Sequence, residues 1–289
     1  MKKTTMLRKL LSEKKLLVSA GAHDALSARV IARAGFECVF LSGFGFEASL
    51  LGRPDVGLLS MSEVVNHAKN IAMSLDVPVL ADAEAGYGGF SNIQRTVREF
   101  ERAGVAGIFI EDQAHPVMCG SLKEFKKIIS TEEMVEKIQC ALASREDPDF
   151  VICARTDADI VSIEEQIKRC NAYAEAGADL VTAIPYSREE FAALVKGVKI
   201  PLWVYLASEL PLTIKDLEEV GVRGIVIYPV ELAFVATKAM MDLMTELRNK
   251  GTVTETMTKY QAGGYQEFFN FIGLPETQAW EQRYLKAKA

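Results

Sequence analysis

Residues 77–112 read VPVLADAEAGYGGFSNIQRTVREFERAGVAGIFIED, and their pattern decides the fold. The apolar run Val77–Ala81 has the composition of a buried strand, and Gly107–Glu111 is a second run of the same kind. Between them, Asn92–Ala103 carries apolar residues at helical spacing, and it is followed by Gly104, a residue type that commonly ends helices. The stretch therefore predicts a strand, a helix and a second parallel strand, which is one repeat of an α/β fold.

The same alternation of short apolar runs and amphipathic stretches extends along the chain in both directions. Eight strands are predicted, at Leu16–Ser19, Cys38–Ser42, Val77–Ala81, Gly107–Glu111, Phe150–Ala154, Leu180–Thr182, Leu202–Tyr205 and Gly224–Tyr228. Most are apolar on both faces, as strands of a buried parallel sheet are. Because eight such repeats close into a barrel more readily than they form an open sheet, residues 1–251 are predicted to form a (β/α)₈ TIM barrel.

Residues 252–289 lie beyond the eighth predicted helix and form a second predicted region. They contain the aromatic and apolar cluster Tyr265–Phe271. An apolar segment of this kind needs a surface that covers it. We therefore predict a C-terminal helical extension that packs on its own barrel or on a neighbouring subunit.

Composition narrows the class of protein. The 289 residues are 49% hydrophobic and 25% charged, with a formal net charge of -6. These values are typical of a globular protein, and the acidic balance argues against a nucleic-acid partner. The five cysteines show no paired spacing, which favours a reducing cytoplasm over a disulfide framework. No stretch has the pattern of a signal peptide or a membrane span, so no membrane partner is expected.

Charged residues follow neighbouring predicted strands at the point where each strand ends. Asp82 and Glu84 follow the third strand, Glu111 ends the fourth, Arg155 follows the fifth, and Asp55 lies in the loop after the second. The strands of a (β/α)₈ barrel end at one rim, which carries the active site. Clustered carboxylates favour a hard divalent cation between them, so we predict a Mg²⁺ site with Mn²⁺ as a substitute. The alternative is that these acids only cap the following helices.

Three motifs at these positions resemble the isocitrate lyase/phosphoenolpyruvate mutase superfamily. They are Asp82–Gly88, Ile110–Gln113 and Ala154–Ala158, and the resemblance extends from Gly21 to Pro229. The branch of 2-methylisocitrate and 2,3-dimethylmalate lyases is the most similar. The resemblance implies a (β/α)₈ barrel whose C-terminal helix is swapped between the subunits of a homotetramer, a dimer of dimers.

The resemblance also implies how a metal and a substrate would be held. Asp82 would bind Mg²⁺ directly, whereas Asp55, Glu84 and Glu111 would reach it mainly through waters. The family usually has Asp where this chain has Glu84. Arg155 would hold a substrate carboxylate or the oxygen of the pyruvyl unit.

Other residues are implied to contact the substrate itself. Ser42, Gly43 and Gly45 would donate hydrogen bonds to a substrate carboxylate. Cys119 would be the acid that protonates the departing carbanion, and without cationic neighbours its thiol should remain protonated.

The chain departs from the lyase pattern at several positions around this site. The loop that contains Cys119 lacks the Lys, the basic residue and the His of the lyases, and the pocket lacks their Glu, Asn and His. The residues at these positions are Val117, Met118, Ser121, Ile184, Tyr205 and Phe109. These changes predict a smaller or more apolar substrate, with Ile184 and Tyr205 among the residues that contact it.

We therefore expect a Mg²⁺-dependent carbon–carbon lyase. It would cleave a substituted 2-hydroxy di- or tricarboxylate to pyruvate or another 2-oxo acid plus a carboxylate. An oxaloacetate decarboxylase or hydrolase on the same scaffold is the main alternative, because it would not need the missing Lys and His. A phosphonate mutase or hydrolase and a non-catalytic binding protein are the remaining alternatives.

Overall fold

The computed structural model describes residues 1–261 and 263–285, and the chain divides into two compact units, residues 1–233 and 234–289. The first unit contains a closed barrel of eight parallel strands that are paired in sequence order. The strands are β1 (Leu16–Ala22), β2 (Val39–Leu41), β3 (Val79–Asp82), β4 (Gly107–Glu111), β5 (Val151–Arg155), β6 (Leu180–Thr182), β7 (Leu202–Tyr205) and β8 (Gly224–Tyr228). The predicted (β/α)₈ barrel is confirmed.

Helices connect the strands of the first unit and make up most of the second. Those of the first unit are α1 (Lys3–Glu13), α2 (Ala25–Arg33), α3 (Gly43–Phe46), α4 (Met61–Met73), α5 (Phe90–Arg102), α6 (Thr131–Ser144), α7 (Ile163–Glu175), α8 (Arg188–Gly197) and α9 (Ile214–Val220). They are followed by α10 (Glu231–Lys250), α11 (Thr254–Lys259), α12 (Tyr265–Phe271) and α13 (Leu274–Leu285).

The sequence marks where these helices begin and end. Ser130 accepts a hydrogen bond from the backbone N–H of Glu133, at 3.1 Å, and so caps α6. Gly35, Gly104 and Gly177 follow α2, α5 and α7 with φ of 92°, 82° and 104°. A left-handed glycine lets the chain leave a helix and turn into the next strand. The glycine stops read from the sequence are therefore confirmed.

The hydrophobic core has an outer and an inner part. The outer part lies between the strands and the helices, and the inner part fills the barrel with side chains that include Phe40, Phe109 and Trp203. Leu7 of α1 is fully buried against the inner part. Because Arg8 of the same helix bonds Asp179, which precedes β6, α1 covers the N-terminal end of the barrel. The C-terminal end is left for the site.

The second unit is held together by hydrogen bonds between α10 and α11. Glu246 accepts from the backbone N–H groups of Glu255 and Thr256, at 2.9 and 2.7 Å. The exposed apolar side chains of the second unit include Met240, Met241, Met244, Leu247, Tyr265, Trp280, Tyr284 and Leu285. The boundary at residue 251 and the packing of this region on a neighbouring subunit stay predictions. In the described residues, no helix is long and apolar enough to cross a membrane.

Candidate active site

The predicted acidic residues lie where strands end at the C-terminal rim. Asp82 and Glu111 are the last residues of β3 and β4, and Glu84 follows in the turn after β3. In that turn the backbone N–H of Glu84 donates to Asp82 Oδ1 at 2.8 Å. Glu84 has a φ of 50°, which is uncommon for a residue other than glycine and typical of functional sites. The turn places both carboxylates on the same side.

The side chains of Asp82 and Glu84 converge above Gly43. A Cβ atom at Gly43 would lie 2.6 Å from Asp82 Oδ2 and 3.2 Å from Glu84 Oε1. Gly45 is equally confined, since its Cβ would lie 2.8 Å from the Cβ of His23. Ser42 Oγ accepts from the N–H of Gly45 at 3.3 Å. The absence of a side chain therefore lets the backbone approach the two carboxylates at Gly43 and His23 at Gly45.

The carboxyl groups raise one another's pKa values. Burial, with Glu47 nearby, raises the pKa of Asp55 to about 6. Burial also raises the pKa of Asp82, to about 7, although Arg155 opposes the shift. Burial and the neighbouring acids raise the pKa of Glu84 well above its usual range. A cation placed among these carboxyl groups would favour their ionised forms and offset their mutual repulsion.

The donor set fits a divalent cation that keeps much of its water. Glu111 Oε1 is buried without a hydrogen-bond partner, and two carboxylates converge above Gly43. Across residues 1–261 and 263–285, no three His, Cys, Asp or Glu side chains converge closely enough to form an all-protein cage. Mg²⁺ usually takes one or two carboxylates and several waters, which agrees with this arrangement.

Arg155, the last residue of β5, carries the positive charge of the site. Its Nη1 lies 3.1 Å from Glu111 Oε2, and its Nη2 donates to Asp157 Oδ1 at 2.9 Å. The guanidinium lies 5.3 Å from the ring centre of Phe109 and 5.7 Å from that of Tyr205. Burial acts to lower the pKa of Arg155, but Asp157 and Glu111 outweigh it and raise that pKa well above its usual value. Its Nε is buried without a partner, so it can bind a ligand oxygen.

Tyr205 is the last residue of β7, and Ile184 follows β6 on the same rim. The ring of Tyr205 packs against Phe40 and Phe109, with ring centres 6.2 and 6.4 Å away. Its hydroxyl is buried without a hydrogen-bond partner, a costly state that a ligand oxygen would relieve. The backbone N–H of Ile184 donates to Gln166 Oε1, at 2.7 Å. The substrate contacts predicted for both residues stay predictions.

Cys119 belongs to the segment between β4 and α6, residues 112–130, which we call the active-site loop. The amide side chain of Gln113 pairs with both backbone groups of Met118, at 2.9 Å each. The N–H of Cys119 then donates to the carbonyl of Asp55, at 3.1 Å. A Cβ at Gly120 would lie 3.5 Å from Arg155 Nη2. The loop therefore places Cys119 against Asp55, and the next residue, Gly120, against Arg155.

The thiol of Cys119 stays protonated in this setting. Burial and the nearby Asp55 raise its pKa above the ordinary value of 9.0. Its Sγ lies 3.3 Å from the hydroxyl of Ser121. In the same loop, Val117 is buried and Met118 half-buried. A protonated thiol suits a proton donor and not a nucleophile.

Two buried acids that were not predicted as site residues, Glu47 and Asp112, hold the site in place. Glu47 accepts from the N–H groups of Val56 and Leu59, at 3.0 and 3.2 Å, and so fixes the loop that contains Asp55. Asp112, which follows Glu111, accepts from three side chains: Thr156 Oγ1, Arg169 Nη1 and the Tyr173 hydroxyl. The sequence offered a signal for Glu47, which is a lone acid in the apolar stretch Phe44–Ala48, but not for Asp112, which lies between Glu111 and Gln113.

Comparison with known proteins decides the family. The family model described as phosphoenolpyruvate phosphomutase matches residues 7–248. The chain belongs to this family. The resemblance read from the motifs is therefore confirmed.

Individual members of the phosphoenolpyruvate phosphomutase family are similar over nearly all of the chain. The 2,3-dimethylmalate lyase of Eubacterium barkeri is 43% identical, and the match covers 96% of each chain. A solved oxaloacetate acetylhydrolase in complex with 3,3-difluorooxalacetate has a TM-score of 0.89 and 31% identity, with 97% of this chain and 96% of that one covered. A solved phosphonopyruvate hydrolase complex with oxalate and Mg²⁺ has a TM-score of 0.89 and 32% identity, covering 99% of this chain and 100% of the other.

Proposed function

We propose that this family member is a carbon–carbon lyase that cleaves a substituted 2-hydroxydicarboxylate of the 2,3-dimethylmalate type. The products are pyruvate or another 2-oxo acid and a carboxylate. One observation carries the proposal: the protonated Cys119 thiol lies beside Asp55, in a loop whose next residue, Gly120, approaches Arg155. The 43% identity to a 2,3-dimethylmalate lyase supports the same reaction.

Four carboxylates would hold the metal. Asp82 would bind Mg²⁺ or Mn²⁺ directly, and Asp55, Glu84 and Glu111 would bind it through waters. When bound, the cation supplies Lewis-acid polarisation of the substrate's 2-oxygen and carboxylate. Support comes from the convergence above Gly43 and from the Mg²⁺ in the phosphonopyruvate hydrolase complex.

The residues of the chain bind the substrate and move one proton. Arg155 holds the 2-oxo acid half through its free Nε, while Ser42 and the N–H groups of Gly43 and Gly45 bind a carboxylate. A carboxylate of the site accepts the proton of the 2-hydroxyl, the C2–C3 bond breaks to give the 2-oxo acid, and the electron pair of that bond remains on C3. Cys119 donates its proton to that carbon, so one proton lost is balanced by one gained. The closed loop excludes water from the carbanion.

The lining of the pocket favours a dicarboxylate with methyl substituents. Val117 and Met118 stand where the lyases have cations, so little charge is available for a third carboxylate. Ile184 presents an apolar side chain at the rim, and methyl groups bury well against such a surface. Tyr205 offers one hydroxyl for a substrate oxygen.

The assembly and the setting also belong to this proposal. We infer a cytoplasmic homotetramer, a dimer of dimers, in which the C-terminal helices pack on neighbouring subunits. The exposed methionines and aromatic residues of α10, α12 and α13 support a covered surface there. The expected ligand is a small carboxylate, and no nucleic-acid or membrane partner is expected.

A pyruvate assay coupled to lactate dehydrogenase and NADH tests the reaction. The panel contains 2,3-dimethylmalate, 2-methylisocitrate, citramalate, malate and oxaloacetate, each with Mg²⁺ and with EDTA. Cys119→Ser is compared with Cys140→Ser, a matched change at the other partly exposed cysteine. The lyase predicts Mg²⁺-dependent pyruvate from a 2-hydroxy acid that only Cys119→Ser abolishes. Oxalate, a small planar dianion like the pyruvate enolate, should inhibit.

An oxaloacetate decarboxylase or hydrolase is the second candidate. The oxaloacetate acetylhydrolase similarity and the missing Lys and His of the loop favour it. It predicts turnover of oxaloacetate alone, above the metal-catalysed background and unaffected by Cys119→Ser. That result would replace the lyase. No turnover with any substrate of the panel would favour a binding protein.

A further inference from the structure

A buried lysine of the active-site loop reaches the ion pair formed by Arg155 and Asp157. Lys126 Nζ lies 2.7 Å from Asp157 Oδ1 and 3.0 Å from Asp159 Oδ1, and these three side chains are fully buried. The same Asp157 Oδ1 accepts from Arg155 Nη2, at 2.9 Å. One carboxylate oxygen is therefore shared by a cation from the loop and a cation from the barrel.

The remaining contacts of the loop on this side are weaker. Lys123 Nζ lies 3.7 Å from Asp159 Oδ2 and 3.5 Å from the ring centre of Tyr186. The Lys123 side chain is 46% exposed, and exposed ion pairs contribute little to stability. Lys126 is the buried cation of the loop. Loss of its ion pairs should therefore affect the position of the loop more than loss of the Lys123 contacts.

The charges of this cluster balance only while the loop is closed. Asp157 and Asp159 are both buried, and Asp157 Oδ2 has no hydrogen-bond partner. Without Lys126, Asp157 would depend on Arg155, whose guanidinium also pairs with Glu111, and Asp159 would lose its shorter ion pair. Unpaired buried charges are costly, so the arrangement favours the closed loop and keeps Arg155 in its observed position.

We propose that Lys126 is a positioning residue. Through Asp157, it couples closure of the active-site loop to the position of the Arg155 guanidinium. The loop that carries Lys126 also carries Cys119, so one ammonium group fixes the proton donor and the substrate-binding cation together. The catalytic roles of Cys119 and Arg155 come from the proposed function. The coupling itself concerns only the closed loop.

The test follows the loop without requiring turnover. Purified full-length protein is treated with a neutral maleimide at pH 8, and the alkylation rates of Cys119 and Cys140 are read by peptide mass spectrometry. The variants are Lys126→Met, Lys126→Arg and, as a matched control, Lys127→Met at the exposed neighbouring lysine. Oxalate affinity in the presence of Mg²⁺ is measured by calorimetry on the same proteins.

The coupling predicts a specific pattern across these variants. In Lys126→Met, the maleimide should alkylate Cys119 roughly 10- to 100-fold faster than in the wild type. The affinity for oxalate should fall by a similar factor. The rate at Cys140 should be unchanged. Lys126→Arg should recover most of both effects, and Lys127→Met should match the wild type.

Three results would overturn the coupling. An unchanged Cys119 rate in Lys126→Met would show that Lys126 does not hold the loop. Equal acceleration at Cys119 and Cys140 would show general loosening of the fold. Faster Cys119 alkylation with unchanged oxalate affinity would separate the loop from Arg155. Because no substrate is turned over, these results stand apart from failure of the lyase assay.

Discussion

Gly43→Ala should weaken metal binding without unfolding the protein. The added Cβ would lie 2.6 Å from Asp82 Oδ2, and real Cβ atoms essentially never approach closer than 3.0 Å, so this carboxylate must move by at least about 0.4 Å. Mg²⁺ demands near-ideal geometry at about 2.0–2.1 Å. We expect Mg²⁺ or Mn²⁺ to bind about 10- to 100-fold more weakly, which is about 1.4–2.8 kcal/mol.

Calorimetric titration with Mn²⁺ measures this change directly. Gly89→Ala is the control, because no atom lies within 4 Å of its added Cβ. Both variants should keep the wild-type unfolding midpoint within a few degrees, since Gly43 contacts the flexible end of a side chain. Wild-type Mn²⁺ affinity in Gly43→Ala would show that Asp82 is not the direct ligand, and the metal assignment above would fail.

Three further changes test other parts of the structure. Leu7→Ala should lower the free energy of unfolding by about 2–5 kcal/mol, because Leu7 is fully buried beneath the barrel. Urea unfolding measures this change, and Met73→Ala, at an exposed side chain, should leave the free energy of unfolding nearly unchanged. Tyr205→Phe should lower kcat/KM by roughly 10-fold or more with little change in stability, because the hydroxyl bonds no protein group; an unchanged kcat/KM would mean that the ring only fills space. Activity that depends on the protonated Cys119 thiol should persist through neutral pH and fall only as the pH rises above the ordinary pKa of 9.0, because burial and Asp55 raise that pKa. A wild-type kcat that already falls as the pH rises towards 7.5 would contradict this assignment.

The strands could be predicted because local composition determines them. Gly107–Glu111 and Leu180–Thr182 agree with the structure at both ends. Polar residues mark one boundary of each, Glu111 with Asp112 at the end of the first and Asp179 before the second. β1 continues to Ala22, three residues past the predicted end at Ser19. Gly21 and Ala22 pair there with Phe40 and Leu41 of β2. That pairing depends on the neighbouring strand and not on the composition of β1.

The site could be predicted only in part, for a related reason. Asp82, Glu111 and Arg155 end strands, so the barrel rule alone places them on one rim. The ion pair between Lys126 and Asp157 joins residues 31 positions apart and depends on how the loop folds back. A lone lysine in a loop that also contains Lys123 and Lys127 gives no sign of burial.

The packed interior of the barrel limits where small molecules can enter and leave. Phe40, Phe109 and Trp203 leave no passage toward the N-terminal end, which α1 covers. The substrate and both products of the proposed reaction would therefore use one entrance, at the C-terminal rim beneath the active-site loop. Under the proposed function, the fragment nearer the entrance would leave before the 2-oxo acid bound to Arg155. We therefore expect ordered release, with the 2-oxo acid last and acting as the competitive product inhibitor.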